Sequence, residues 1–327
     1  MMLREVSFQH ESWPLKKSFS ISRGTKTSAE IIYLEIKQNH HKGKGEAVPY
    51  ARYGESIDSV FNQINSVKSD IEQGFDRNKL LGILPPGAAR NAIDCALWDL
   101  ESKLNGTSPW KSANKIKPKS IRTALTVSLD SPDKMAKEAL NYGKCDVLKL
   151  KLGSKNVLES IAAVRQVTPK AKIIIDANEA WSEEQLRSWQ EQLFEMSIDL
   201  VEQPLSSDKD DCLREFQHLV PICADESCHT TEDIDRLVGL YDYVNLKLDK
   251  TGGLTEALNC IDMAKQRGLG IMIGCMVSTS LSMAPALLLA EDADFIDLDG
   301  PFLLAKDRHP SLIGSSNELT CNSGVWG

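Results

Sequence analysis

The hydrophobic rhythm of the chain changes once, near residue 120. Before that point apolar and polar positions alternate over Leu3–Gln9, Lys17–Ser22 and Glu30–Lys37, the period of strands with one face in water. Such strands pair antiparallel, and the polar His40–Gly45 stretch is expected to form a hairpin turn before Glu46-Ala47-Val48. Two helical patterns follow. Glu55–Glu72 is amphipathic, whereas Ala88–Leu104 is nearly apolar through its centre and therefore expected to be buried.

From Ile121 short aliphatic runs alternate with helical periods. Eight strands are predicted near residues 121–127, 145–151, 172–177, 198–202, 221–225, 242–248, 269–274 and 294–299. Helical patterns between them include Val157–Val167, Glu183–Glu195, Thr255–Arg267 and Leu281–Ala290. Strands with aliphatic interiors in a repeating βα order belong in a parallel sheet covered on both faces. Eight of them, with no full helix after the last, predict a (β/α)7β TIM-type barrel, so the fold class is α/β with an N-terminal α+β capping domain. The expected boundaries are 1–118 for the capping domain and 119–300 for the barrel. Residues 301–327, irregular through Pro301, Pro310 and Asn317, are expected to return to the capping domain.

Composition narrows the function classes. A net charge of -8 argues against general binding to nucleic acid or anionic membrane, which calls for a basic face. The apolar runs are too short to span a bilayer, and Met1-Met2-Leu3-Arg4 leads into strand-like sequence rather than a signal peptide. The eight cysteines are scattered without a CxxC pair, which suits reduced thiols in a cytoplasmic protein.

Four strings carry the chemistry: Leu148-Lys149-Leu150-Lys151, Ile175-Asp176-Ala177-Asn178, Leu246-Lys247-Leu248-Asp249 and Ile296-Asp297-Leu298-Asp299. Side chains two apart on a strand share a face, so each string is expected to send two polar groups one way. All four fall at the C-terminal ends of predicted strands, where barrels place their reactive groups. Strand three ends in Asp176, strand four in Glu202 and strand five in Asp225. Singly, each acid fits a helix cap or a lysine partner. Three on successive strands repel one another unless a cation lies among them, and oxygen ligands favour Mg²⁺, with Mn²⁺ as a substitute. Cys223, Cys228 and His229 follow no zinc spacing.

Lys149 and Lys151 share a face of strand two, and Lys247 ends strand six. In a barrel of eight those strands are opposed, with the three acids between them. The lysines would also be satisfied as salt-bridge partners of the acids, and a Schiff base is a further option. Their opposed placement favours a pair of acid/base catalysts, Lys151 and Lys247, flanking a carbon α to a metal-bound carboxylate. A lysine confined beside a divalent cation gives up its proton more readily. The metal and Lys149 would then stabilise the enediolate. Asp297 and Asp299 on strand eight form a receptor for a cation, unless Arg308 or Lys306 pairs with them. A pocket with a carboxylate site at one end and an ammonium site at the other fits a dipeptide. Thr251-Gly252-Gly253 reads as a βα turn rather than a phosphate loop.

These residues resemble those of the enolase superfamily, and within it the muconate-lactonizing subgroup. The likeness rests on Lys149-Leu150-Lys151, Asp176-Ala177-Asn178, Val201-Glu202-Gln203-Pro204, Ala224-Asp225-Glu226-Ser227 and Asn245-Leu246-Lys247, and extends over the whole chain. Asp297-Leu298-Asp299-Gly300-Pro301 is similar to the mark of the dipeptide epimerases. That resemblance implies 1,1-proton transfer at the α-carbon of the second residue of a dipeptide, L-Ala-L-Glu to L-Ala-D-Glu, in murein peptide recycling. It implies Mg²⁺ on Asp176, Glu202 and Asp225, catalysis by Lys151 and Lys247, Lys149 on the substrate carboxylate, and Asp297 and Asp299 on its ammonium. Arg23 and Arg52, in the capping loops, are expected near the substrate side chain, with Arg23 preferred and Lys26 beside them. Thr126 and Asn178 complete the expected substrate-binding set. Many relatives carry a glutamate on strand seven where this chain has Ser278. The alternatives are a metal-dependent lyase or cycloisomerase, which the Asp297/Asp299 pair disfavours, and a different side-chain preference. The small-molecule dipeptide is the one partner implied; association into a homo-oligomer stays open.

Overall fold

The computed structural model describes residues 4–321 and 324–327, so Leu3, the predicted start of the first strand, lies outside the described residues. The N-terminal part is a three-stranded antiparallel sheet, β1 (Glu5–Ile21), β2 (Gly24–Gln38) and β3 (His41–Ala47), in that order. The two segments predicted as separate strands, Leu3–Gln9 and Lys17–Ser22, join in β1. The join is irregular, because the register slips between Pro14, opposite Ser28, and Phe19, opposite Lys26. Proline offers no N–H to the ladder, and the freed backbone pairs elsewhere: Ala305 N donates to Pro14 O at 2.8 Å.

The hairpin turn between β2 and β3 is tighter than expected. It lies at Asn39-His40, with Asn39 at φ 57°, while His41–Gly45 continues the strand. The glycines there serve packing rather than turning. A Cβ on Gly45 would lie 2.0 Å from Ala92 O and one on Gly43 2.1 Å from Ala96 O, because helix α3 crosses the strand at that point. Helices α1 (Ile57–Glu72), α2 (Arg77–Ile83) and α3 (Ala88–Asn105) close this core, α2 without a clear forecast in the sequence. Val60, Ile64 and Ile71 of α1 and Ile93, Leu97 and Leu100 of α3 pack on Ile32, Leu34 and Ile36 of β2.

The second part is a sheet of eight parallel strands: β4 (Leu125–Val127), β5 (Val147–Lys151), β6 (Lys172–Asp176), β7 (Leu200–Glu202), β8 (Ile222–Ala224), β9 (Tyr243–Leu246), β10 (Gly270–Gly274) and β11 (Phe295–Asp297). It closes through Ala124 N to Ile296 O at 2.8 Å and Leu298 N to Thr123 Oγ1 at 2.7 Å. Helices Val157–Val167 and Glu183–Glu195 run as forecast. The predicted Leu281–Ala290 helix breaks after Ala286 into a 3₁₀ stretch, since Pro285 lacks the N–H that a continuous helix needs. Among the described residues the connection between β7 and β8 holds only a 3₁₀ turn, Asp211–Glu215, and the one helix after β11 is the short Gly300–Leu303, followed by a strand, Glu318–Thr320, that pairs antiparallel with Ser120–Arg122. Period two divides the strands: Ile173 and Ile175 face the helices, whereas Ile174 plugs the barrel with Leu200, Cys223 and Met272. Above that plug the interior is polar.

The two parts are docked by buried polar groups. Glu46 accepts from Thr279 N and Oγ1 and from Arg308. Asp94 accepts from Thr255 N and Oγ1, and Arg90 donates to Thr251 O and Gly252 O. Gly252 has φ 70°, and a Cβ on it would meet Arg90 Nε at 2.4 Å, so the glycine turn serves domain docking. The C-terminal segment returns to the cap: Arg308 reaches Glu11, and Trp326 Nε1 donates to Cys95 O. All eight cysteines are unpaired, and no helix among the described residues is long and apolar enough to cross a membrane.

This packing gives a stability test. Gly45→Ala is expected to lower the unfolding free energy by about 3 kcal/mol, the upper range for overpacking. Gly82→Ala, with nothing within 4 Å of the new methyl, should raise it by about 0.5–1 kcal/mol. Urea midpoints of the two variants check both signs.

Candidate active site

The strand ends bring together a cluster of buried ions. Asp176, Glu202 and Asp225, at the tips of β6, β7 and just past β8, each offer an oxygen within 4.8 Å of the others. Lys149 is 1% exposed, and its Nζ lies 2.7 Å from Asp297 Oδ2, 2.7 Å from Glu202 Oε2 and 3.1 Å from Asp176 Oδ2. Lys151 Nζ meets Asp176 Oδ2 at 2.5 Å, and Lys247 Nζ meets Asp225 Oδ2 at 2.6 Å. The two lysines thus stand at opposite ends of the row of acids. Both line a cavity of about 480 Å³ under the capping loops, with Thr126, Asn178, Asp225, Asp297 and Asp299.

Electrostatics follow from this layout. Burial raises the Asp176 carboxyl, but Lys151 and Lys149 outweigh it and hold the group well below the carboxylate range. Asp225 is depressed in the same way, against burial, by Lys247 and Lys250. Glu202 goes the other way: burial and then the Asp176 charge push it up to about 7. Burial disfavours the Lys149 and Lys247 ammoniums, yet surrounding carboxylates raise both well above an ordinary lysine. Asp299, buried beside Asp297, is pushed up to about 7.

The carboxylates fit a divalent cation. Glu202 Oε2 and Asp225 Oδ1 are buried with no hydrogen-bond partner. Lysine nitrogens lie 2.7 Å from each but outside bonding geometry, so these are ion contacts with lone pairs to spare. Three buried hard oxygen donors are the set that Mg²⁺ takes. Cys223, Cys228 and His229 do not join it; His229 packs its ring on Tyr53 with centroids 4.5 Å apart.

One string differs from expectation. Asp249 does not share the mouth with Lys247, because β9 ends at Leu246 and the chain turns into a short helix, Leu248–Thr251. Asp249 faces the cap instead, accepting from Val48 N and Asn91 Nδ2, both at 2.9 Å. The pair two apart that reaches the site is Asn245 and Lys247, with Asn245 Nδ2 donating to Glu202 Oε1 at 2.7 Å. The same period-two rule, started one pair earlier, finds it. Lys250 also escaped notice; fully buried, it lies 2.7 Å from Asp225 Oδ1 and donates to Asn245 O. Asp297 and Asp299 do not pair with Arg308 or Lys306. Thr126 N donates to Asp299 Oδ2 at 2.7 Å, and Asp297 Oδ1 has no partner. Arg23 and Arg52 reach the pocket and engage Glu226 and Glu179 of the barrel loops. Ser278 is buried and donates to Met276 O, away from the triad.

Comparison with known proteins adds to this geometry. Residues 133–299 match the enolase C-terminal domain-like family, and residues 3–111 the mandelate racemase / muconate lactonizing enzyme N-terminal domain. L-Ala-D/L-Glu epimerase of Escherichia coli is 43% identical over 319 residues, 97% of this chain and 99% of the relative. N-acetyl-D-glutamate racemase of a Pseudoalteromonas species is 40% identical over 91% of this chain and 95% of the relative. Among solved structures, an enolase family member of Agrobacterium tumefaciens, with bound sodium and L-Ala-L-Glu, superposes with a TM-score of 0.96. It is 44% identical and covers 99% of this chain and 100% of its own.

A pH-dependent metal affinity follows from Glu202. Its carboxyl is raised, so below about pH 7 a proton competes for the site, whereas above it the carboxylate is free. Mg²⁺ affinity should therefore weaken as pH falls through about 7, with up to one proton released per ion bound. Calorimetry in buffers of different ionisation enthalpy counts that proton; Asp225→Asn should abolish the binding signal.

Proposed function

The chain belongs to the mandelate racemase / muconate lactonizing enzyme family of the enolase superfamily, and from that premise we propose that it is a dipeptide epimerase. It inverts the α-carbon of the second residue, with L-Ala-L-Glu and L-Ala-D-Glu as the interconverting pair. One observation carries the reading: Lys151 and Lys247 line a single cavity from opposite ends of the carboxylate row, so a carbon held between them is open to a base on each face. The E. coli relative named for this reaction supports the choice of substrate.

Asp176, Glu202 and Asp225 hold Mg²⁺, or Mn²⁺ on the same oxygen donors, which when bound draws charge from the substrate carboxylate and makes the α-proton more acidic. Lys149, fixed among its acids below the cavity, adds a positive charge toward that carboxylate. In one direction Lys151 takes the α-proton and Lys247 returns one to the opposite face; the reverse reaction exchanges their roles. At the far end Asp297 Oδ1, buried and without a partner, accepts the substrate ammonium, together with Asp299. Thr126 holds Asp299 through its backbone N–H, and Asn178 offers a partner-free Oδ1 beside the cavity. The reaction belongs in the cytoplasm, in the recycling of murein peptides.

The Pseudoalteromonas relative is named for an N-acylated substrate, which has no ammonium. The Asp297/Asp299 pair favours the free dipeptide, because an acyl group would leave the buried Asp297 Oδ1 without a donor and supply no cation to the pair. Removing one partner of a buried ion pair costs about 3–5 kcal/mol. N-acetyl-L-Ala-L-Glu should therefore turn over on the order of a thousandfold less efficiently than L-Ala-L-Glu; equal kcat/KM would sink the dipeptide reading. Lys151→Ala and Lys247→Ala should each stop epimerisation, while the remaining lysine still exchanges the α-proton of one epimer with D₂O. Wild-type rates in either variant would refute the two-base mechanism.

A further inference from the structure

Glu202 and Asp225 stand at the ends of neighbouring strands, and the residue after Glu202 binds the two turns together. Gln203 is fully buried and has φ 37°, a left-handed conformation that costs any side chain other than glycine. Building on the Mg²⁺ site of the reading above, we propose that Gln203, held in turn by Ser227, Tyr241 and Asp210, is the positioning residue that fixes Asp225 relative to Glu202.

The backbone settles which way the Gln203 amide faces. Its Oε1 accepts from Asp225 N at 2.8 Å and from Ser227 N at 3.1 Å, and its Nε2 donates to Leu205 O at 2.9 Å. An N–H only donates and a carbonyl only accepts, so the amide has one orientation that pairs all three. Nε2 also lies 2.9 Å from Ser227 Oγ and 2.9 Å from Tyr241 Oη. Asp210 Oδ2 accepts from Ser227 Oγ at 2.6 Å and from Tyr241 Oη at 2.9 Å. Both hydroxyl protons therefore point away from Gln203, and their lone pairs face its Nε2. Arg236 closes the network, donating to Asp210 Oδ1 at 2.9 Å. Donors and acceptors match along its whole length, the condition under which a buried polar network holds one arrangement.

Asp225 depends on that arrangement more than Asp176 does. Asp176 Oδ1 accepts from Asn178 N at 3.0 Å, so its carboxylate is aimed by its own turn. Among the described residues no backbone N–H reaches the Asp225 carboxylate, and Lys247 alone donates to it within bonding geometry. Its place is set through the main chain instead. Gln203 Oε1 holds Asp225 N, and Gln203 N donates to Cys223 O at 2.8 Å. One residue thus ties the tip of β7 to the tip of β8 by side chain and main chain, and the carboxylates it spaces are two of the three in the triad. That role calls for an acceptor and donors on one short planar group, which neither a carboxylate nor an ammonium supplies.

The test is calorimetric titration of Mg²⁺ into the whole, metal-free chain, comparing the wild type with Gln203→Met and Tyr241→Phe, with urea unfolding of the same samples. Methionine keeps the length of glutamine and adds no charge. Loss of a group that orients a metal ligand costs about 10- to 100-fold in affinity, the drop expected of Gln203→Met. Tyr241→Phe removes one neutral hydrogen-bonding group from the network and should weaken Mg²⁺ binding about fivefold. Both losses should appear at urea concentrations where the variant is fully folded, which a role in stability alone does not produce. Wild-type affinity in folded Gln203→Met, or in Tyr241→Phe should Gln203→Met not fold, would overturn the proposal. A wild type that binds no Mg²⁺ would overturn the metal reading beneath it, so the two failures are separable.

Discussion

Everything at the mouth of the barrel depends on neutralising charge that has been taken out of water. Each unpaired ion at these depths would cost several kcal/mol, more than a typical protein can spare. The structure meets that cost by interleaving: Lys149 sits among Asp176, Glu202 and Asp297, Lys151 against Asp176, and Lys247 and Lys250 against Asp225. Every one of those groups comes from a strand end or the turn after it, so the pairing and the barrel register specify each other. A strand shifted by one residue would turn its lysine or aspartate into the aliphatic layer and strand its partner.

The capping domain is attached by the same physical means. Glu46, Asp94 and Arg90 cross the domain boundary to meet backbone or side-chain partners on the barrel, and Asp249 crosses the other way. These contacts are directional, so they fix the angle at which the β1–β2 hairpin overhangs the mouth. The hairpin tip is then held by Arg23 against Asn178, Glu179 and Glu226. Asn178 and Glu179 both have positive φ, 47° and 65°, a conformation that non-glycine residues adopt at a cost. That turn presents a carbonyl and a carboxylate upward to the cap while Asp176, two residues earlier, points into the barrel. The carboxylate cluster and the cap-facing half of the site are therefore joined through a single short turn.

Much of this was legible in the chain. Period two in the strands placed Asp176, Glu202, Asp225, Lys149, Lys151 and Lys247 at strand ends, because a buried strand tolerates a charge only where it meets something. The βα rhythm gave eight strands near their observed positions for the same reason that it gave the barrel: a parallel strand must be apolar on both faces. The rule failed where a strand stopped earlier than its apolar run. Leu246-Lys247-Leu248-Asp249 looks like continuous alternation, yet the backbone turns helical at Leu248 and sends Asp249 to the cap. It also failed at β1, where two alternating segments around Pro14 form one irregular strand supported by the C-terminal segment.

The sequence by itself determined which groups can be charged, which faces they share and in what strand order they arrive, since those follow from side-chain chemistry and local periodicity. Only the tertiary structure decided which charge meets which. Glu202 is raised while Asp176 and Asp225 are depressed, although all three are strand-end acids, because burial and the charges of its two neighbours act on Glu202, whereas Asp176 and Asp225 each meet two lysines within 3.1 Å. Arg23, Arg52 and Lys26 are equally cationic in the sequence, and only the packing of cap on barrel commits the first two to Glu226 and Glu179. Pairing energies depend on distances of a few ångströms between segments far apart in the chain, and local pattern carries no information at that range.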